Sequence, residues 1–431
     1  MSVPVIIMIV LLLIQMMIKV PVAVAMGTSS LIYLVITGSK LSLVSQYLVS
    51  SLNSFTFLAI PFFVLAGELM NFAGISEKII GLAKVFVGHI KGGLALVNVL
   101  TSVVLAGMSG SSVSDAAMTC RVLVPEMEKE GYPRPYSAAL TASSATLGPI
   151  IPPSIPMVLL GGINQLSVGR LFLGGIGPGF LLAGIMVILV YFQAIYYKFP
   201  CSKRANLSQL YIAGKKAFLP TLTPVIILGG MMFGLFTPTE AAVVAVMYIL
   251  FLGVVVYRTL NLSNIFQALL NTVNLTSRIM FIVAFVGVFG WILTVEQITN
   301  KIGDYLSVAI TSPFLVLIFI NILMLFLGCF MNVSSIIVLL SPIVFPIIYK
   351  FGIDPIYFGV IMVFNLEIGS LTPPVGVRYF VVLSAANVKF KEFFREMIPH
   401  FIILFIVLAL MIIFPKIILF IPNLIMGKRL L

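Results

Sequence analysis

Apolar residues recur in long runs along nearly the whole chain, at about 3–19, 21–37, 54–75, 94–125, 137–163, 170–197, 218–236, 239–257, 275–297, 313–347, 356–386 and 398–421. As helices, runs of about 20 residues span the hydrocarbon of a bilayer. No stretch between them is long or polar enough to form a soluble domain. The pattern predicts an all-α polytopic membrane protein with the lipid bilayer as its solvent. Only 9% of the residues are charged, where a soluble domain carries about a quarter.

Two runs, 94–125 and 313–347, are too long for one crossing and are interrupted by small polar residues. Each is read as a re-entrant helical hairpin. The two halves of the chain also repeat. Displacement by 221 residues places Gly107 on Gly328, Ser114 on Ser335, Lys129 on Lys350, Gly148 on Gly369 and Pro152-Pro153 on Pro373-Pro374, without a gap. Chance matches between apolar segments involve mainly Leu and Val, so matches in Gly, Pro and Lys argue for a structural repeat. With about five crossings and one hairpin per half, the second half is inverted relative to the first. That makes about ten full crossings, with the first hairpin opening to the cytoplasm and the second to the periplasm.

Charge placement bears on this topology. The 25 basic residues exceed the 13 acidic ones, for a net charge of +12. Basic loops at the cytoplasmic face account for that excess, and no nucleic-acid partner is expected. The loop 198–216 holds five basic residues and no acid, so it is placed in the cytoplasm. Then 16 of the 25 basic residues, Lys19, Lys203 and Arg278 among them, fall on that side. Lys428 and Arg429 fall outside, as do both termini. The turn at Lys19-Val20-Pro21 is the sensitive point, because one long kinked helix there would reverse the N-terminus. The first apolar run has no basic residues before it and no A-x-A-like site after it, so it is not read as a cleaved signal.

Candidate chemistry lies where the helices should break. Bare peptide groups do not survive in hydrocarbon, so a broken helix must be buried in protein or line a wet cavity. Four breaks stand out: S109-G-S-S-V-S-D115, T146-L-G-P-I-I-P-P-S154, G328-C-F-M-N-V-S-S335 and E367-I-G-S-L-T-P-P-V-G376. The first aligns with the third under the repeat, and the second with the fourth. Free N–H groups at helix starts suit a carboxylate, so Ser109, Gly110, Ser111, Ser112, Pro152, Pro153, Gly376 and Arg378 are candidates to border the substrate. Unwound carbonyls and side-chain oxygens suit Na⁺. The sodium candidates are Ser112, Asp115, Thr141, Ser144, Thr146 and Gly148 in one half, and Asn332, Ser334, Ser335, Asn365, Gly369 and Thr372 in the other.

Intramembrane charges are costly and therefore informative. Asp115 is either a lock on the first hairpin tip or a cation ligand. Arg378 either holds a substrate carboxylate through its planar fork, snorkels, or pairs with Glu367. Glu240, in F-T-P-T-E-A-A, is read as a helix cap. The segments 388–397 and 300–306 are short and polar enough to lie in the membrane interface. Cys120, Cys201 and Cys329 are too far apart for a metal motif. A membrane hydrolase is disfavoured because neither His89 nor His400 has a serine or metal partner at recognisable spacing. A channel is disfavoured because paired broken helices suit alternating access.

The ordered set G-S-S-V-S-D-A-A, T-L-G-P-I-I-P-P-S, F-T-P-T-E-A-A, W291-I-L-T-V-E-Q-I and T-P-P-V-G resembles the large membrane subunit of tripartite ATP-independent periplasmic (TRAP) transporters. The resemblance implies an ion-transporter-type fold in the bacterial inner membrane, and a sodium-driven importer of organic acids using at least two Na⁺. Its partners would be a small four-helix membrane subunit and a periplasmic substrate-binding protein. It further implies an elevator-type transport domain of 94–163 and 313–386. The scaffold would be 1–93, 164–312 and 387–431, the last an interfacial segment and a final helix. One departure stands out: after P-P-V-G the family commonly has a hydrophobic residue and Asn, where this chain has Val377-Arg378. Sialic acid or another sugar acid is favoured as cargo, then a C4-dicarboxylate. The alternative is a stand-alone sodium/dicarboxylate symporter.

Overall fold

A computed structural model describes residues 2–201, 204–310 and 312–427, and every regular element among them is helical. Lys203, Lys428 and Arg429 lie outside the described residues. Among those described, seven helices are long and apolar enough to cross a bilayer alone, including Val168–Tyr196, Leu262–Val295 and Phe390–Ile413. Exposed Leu262, Phe266 and Val273 on the second of these, with Phe319, Phe326 and Phe405 elsewhere, belong to an apolar surface suited to lipid.

All four expected breaks are present. The run 94–125 divides into Gly93–Ser109 and Ser112–Lys129, and 313–347 into Pro313–Gly328 and Val333–Lys350. Likewise 137–163 divides into Arg134–Ser144 and Ile155–Asn164, and 356–386 into Pro355–Gly369 and Val377–Ala386. Local chemistry explains each stop. Gly110 takes φ +63°, and a Cβ there would stand 2.7 Å from the Pro153 carbonyl oxygen, so both conformation and neighbour demand glycine. Past Gly148, prolines 149, 152 and 153 withdraw successive N–H groups. The helix restarts where the Ser154 hydroxyl accepts from the Met157 N–H at 3.2 Å. Asn332 does the same for Ser334 at 3.0 Å.

The two halves share this order of helices and breaks, and one buried contact recurs in both. Ser144 Oγ donates to Asn98 Oδ1 at 3.0 Å, and Asn365 Nδ2 donates to Asn321 Oδ1 at 2.8 Å. Each joins the first helix of a hairpin to the broken helix that follows. The interior is built on those broken helices: Pro355–Gly369 is buried along its whole length, and Arg134–Ser144 from Tyr136 onward.

The N-terminal 37 residues fold as two helices, Val3–Met17 and Val22–Ile36, that double back at Lys19. Ser2 Oγ and Tyr33 Oη both donate to Glu296 Oε1, at 2.9 and 2.8 Å, so the start of one helix and the end of the other meet at one carboxylate. A single kinked helix is excluded by that geometry.

Four expectations need correction. The loop expected at 198–216 is shorter, because the helix Leu207–Met232 starts inside it, where the Asn206 N–H donates to Gln209 Oε1 at 3.0 Å in a capping box. Leu262–Val295 begins well before the expected 275, because Asn261 caps it by accepting from the Asn264 N–H at 2.8 Å. The segment 388–397 is the opening of a continuous helix, Phe390–Ile413, rather than a separate interfacial piece. The final crossing does not reach 421, because Pro415 cannot donate and the chain restarts as Lys416–Met426. Phe390–Ile413 packs directly on Arg134–Ser144 and Pro355–Gly369, and so touches the broken helices themselves. Two amphipathic helices, Ser42–Leu52 and Ile75–Val87, have no counterpart among the long apolar runs.

The closest backbone approach between the second hairpin and its broken helix is at Gly328 and Gly369, where a Cβ on Gly369 would sit 2.6 Å from the Gly328 Cα. Backbone cannot yield as a side chain can. Gly369→Ala is expected to cost about 1–3 kcal/mol by overpacking. Thermal unfolding in detergent, followed through the single tryptophan, Trp291, should show a clear fall in Tm. Gly81→Ala, whose Cβ would meet nothing within 4 Å, should leave Tm unchanged or slightly raised.

Candidate functional site

A cavity of about 440 Å³ lies between the two hairpin tips. The first tip contributes Gly110, Ser111, Ser112 and Ser114, and the second Asn332, Ser334 and Ser335. Glu367 and Ser370 reach it from the second break, and Pro149 from the first. The fourth wall is the long helix Leu262–Val295, through Leu275, Arg278, Ile279 and Ile282. Every other residue bordering the cavity belongs to 94–163 or 313–386.

The candidate residues therefore separate into layers. Gly110, Ser111, Ser112, Asn332, Ser334 and Ser335 border the cavity. Ser109, Asp115, Gly148, Pro152, Pro153, Gly369, Thr372, Gly376 and Arg378 stand behind it. Asp115 is 4% exposed in the first turn of Ser112–Lys129, and a Cβ on Gly148 would approach its Oδ2 to 2.8 Å. The carboxylate thus rests against the bare backbone of the first break. A Cβ on Gly376 would lie 2.9 Å from the carbonyl oxygens of both Ser370 and Thr372, so glycine opens a carbonyl-lined space at the second break.

Hydrogen bonding sorts the polar candidates further. Thr141 Oγ1 donates to the Ser137 carbonyl at 2.8 Å and accepts from Asn98 Nδ2 at 2.6 Å, and Ser144 bonds Asn98 and Ser102. These groups are committed to helix packing. Thr146 Oγ1 and Asn365 Oδ1, in contrast, are buried with no hydrogen-bond partner. One such orphaned acceptor sits at each broken helix.

Of the alternatives open for Arg378, the structure shows the ion pair. Its Nη1 lies 3.0 Å from Glu367 Oε2, and its Nη2 donates to the Glu367 carbonyl oxygen at 2.6 Å. Arg378 is fully buried and Glu367 is 1% exposed. The pair neutralises the one carboxylate that borders the cavity, from behind. The cation that does face the cavity is Arg278. Charge placement counts it in the cytoplasmic set, and it lies just inside the apolar run 275–297.

His400 does have a serine partner: Ser143 Oγ lies 2.9 Å from its Nδ1, across 257 residues of sequence. Both are buried and neither borders the cavity, so the contact ties Phe390–Ile413 to the first broken helix. Glu240 accepts from the Thr237 N–H at 2.7 Å in a capping box, the structural role expected of it.

A many-helix fold with paired broken helices around a cavity edged by hydroxyls fits a transport protein. The family model for the tripartite ATP-independent periplasmic transporter, DctM component, matches residues 5–417, and the chain belongs to that family. It is 40% identical to the sialic acid TRAP transporter large permease protein SiaM of Vibrio cholerae, covering 94% of this chain and 96% of that one. It is also 40% identical to the C4-dicarboxylate TRAP transporter large permease protein DctM of Pseudomonas aeruginosa, covering 86% of each. The YdaH transporter of Alcanivorax borkumensis shares the fold, with a TM-score of 0.59 over 86% of this chain and 87% of that one at 15% identity. The chain is a transporter permease subunit, not an enzyme.

The buried pair makes a sharp test. Glu367→Met or Arg378→Met alone leaves one charge uncompensated and should cost about 3–5 kcal/mol. The double variant should lose much less than the sum, read as the coupling in a double-mutant cycle of unfolding free energies.

Proposed function

We propose that this permease imports an organic acid by coupling it to an inward Na⁺ gradient. The observation that carries this is the cavity between two repeat-related hairpin tips, walled by serine hydroxyls, Asn332 and, among the described residues, one cation without an ion-pair partner, Arg278. A volume of about 440 Å³ suits a small ligand. A carboxylate would lie toward Arg278 and the N–H groups that start Ser112–Lys129 and Val333–Lys350.

Na⁺ enters this reading as a second cargo. The orphaned Thr146 Oγ1 and Asn365 Oδ1, the Asp115 carboxylate beside Gly148 and the carbonyls around Gly376 are hard oxygen donors of the kind a monovalent cation takes. At least two ions would fit this arrangement, one per half. The hairpins and broken helices, 94–163 and 313–386, would move as a body against a scaffold that includes Leu262–Val295. Their inverted relation makes the two end states equivalent in packing. Phe390–Ile413, held by His400, would travel with them. A periplasmic binding protein would deliver the acid, and a small four-helix subunit in the bacterial inner membrane would brace the scaffold.

Sialic acid or another sugar acid remains the favoured cargo, because hydroxyls outnumber fixed charges around the cavity. The test is uptake of radiolabelled sialic acid and succinate into proteoliposomes with an imposed Na⁺ gradient, with and without both partners. Sodium-dependent uptake that needs both partners is expected; uptake by this chain alone would mean a stand-alone symporter. Thr146→Val should raise the Na⁺ concentration for half-maximal uptake about tenfold, the equivalent of about 1.4 kcal/mol. Gly148→Ala should abolish uptake with near-normal expression, and wild-type uptake there would sink the broken-helix argument.

A further inference from the structure

A second cavity, of about 530 Å³, adjoins the first. The turn between the two N-terminal helices forms one side of it, with Lys19 at its lip, and Phe330, Met331 and Asn332 of the second hairpin form another. Arg278, Ile282, Asn332 and Ser335 border both cavities, so Arg278 stands in their common wall. Among the described residues around this second space there are two cations, Lys19 and Arg278, and no acid. Loop lysines held at a membrane face by the positive-inside bias need no cavity, whereas these two cations border one together.

The location of Lys19 is fixed from a distance. Ser2 and Tyr33 anchor the far ends of its two helices at Glu296, and Val22–Ile36 packs along the long helix that carries Arg278. A concave, low-dielectric wall bearing charge of one sign focuses its field on the space it encloses. Lys19, in the turn, and Arg278 are both exposed, and Arg278 stands where that space meets the central one.

We infer that Lys19 and Arg278 form an antechamber for anions, a second carboxylate site through which the organic acid passes between water and the central cavity. This rests on the central cavity being the organic-acid site. Lys19 concentrates the acid by its field, and Arg278 holds the carboxylate in either space, so transfer between them never leaves the anion without a cation. Neither residue is a ligand for Na⁺, and neither takes part in the Glu367–Arg378 pair.

The test uses Lys19→Cys in a Cys201→Ser background of the complete complex, since Cys201 is exposed while Cys120 and Cys329 are buried. Modification by anionic and cationic methanethiosulfonates of similar size is timed at low ionic strength. The anionic reagent should be favoured about tenfold over its ratio for a free thiol. That preference should vanish with Arg278→Gln, and also at about 1 M salt, where the Debye length is about 3 Å. Saturating organic acid should slow the labelling, and a neutral sugar should not. With the acid offered from the cytoplasmic side, where charge placement puts Lys19, Lys19→Cys should raise the KM for counterflow with kcat little changed, and the cationic reagent should restore it. Labelling indifferent to reagent charge, or no protection by an acid that the wild-type complex transports, overturns the antechamber. Charge-selective labelling in a wild-type complex that transports no organic acid would instead overturn the central-site reading, and with it the carboxylate passage.

Discussion

A peptide group in hydrocarbon must find its hydrogen-bond partner inside the protein, and this constraint organises the molecule. Each break in a helix bares several N–H and C=O groups that lipid cannot satisfy. The breaks are therefore wrapped at the centre of the fold, where Pro355–Gly369 is buried throughout. Close wrapping in turn requires glycine: at Gly110 against the Pro153 carbonyl, at Gly148 against Asp115, and at Gly328 against Gly369. This packing leaves a cavity edged by hydroxyls and, among the unpartnered buried groups, the oxygens of Thr146 and Asn365, which is the raw material of a binding site.

Charge follows the same logic. A lone carboxylate facing a membrane-embedded cavity is costly, and the fully buried Arg378 removes that cost at Glu367 from behind. The guanidinium is then unavailable to cargo in this conformation. The cavity keeps a net cationic lining through Arg278, on a helix that belongs to neither pair of broken elements. Behind the tips the balance reverses, with Asp115 and the orphaned oxygens of Thr146 and Asn365. An anion in front and a cation behind are complementary demands of one arrangement.

The breaks were legible in the sequence because glycine and paired prolines in an apolar run have few structural interpretations. They were doubly legible because they recur in register. The layering of the site was not, since it depends on contacts far apart in the chain. Ser143 meets His400 across 257 residues, and no spacing rule reaches that far. That Arg278 borders a cavity was not legible either, because topology rules assign an arginine to a side of the membrane and ignore which face of a helix it occupies. Ser42–Leu52 and Ile75–Val87 escaped notice because hydropathy runs reward uniform apolarity. An amphipathic helix such as Ile75–Val87 buries only the stripe Ile75, Ser76, Ile79, Ile80 and Ala83.

The distribution of close contacts bears on how access to the cavity could alternate. Gly110 is wedged on the Pro153 carbonyl, and Gly328 on Gly369, so each hairpin is fixed to the broken helix of its own half. The recurring Asn98–Ser144 and Asn321–Asn365 bonds fix the same pairs farther from the hairpin tips. A tip that swung open alone would tear both kinds of contact and bare peptide groups to lipid, at several kcal/mol for each unsatisfied group. The cavity wall that lies outside these locked pairs is Leu262–Val295, which meets it through Leu275, Ile279 and Ile282 as well as Arg278. Apolar side chains sliding past one another lose far less than broken hydrogen bonds and bared peptide groups do. In the proposed mechanism the seam along the long helix is the one that would slide, because it alone carries the apolar wall of the cavity outside the locked pairs.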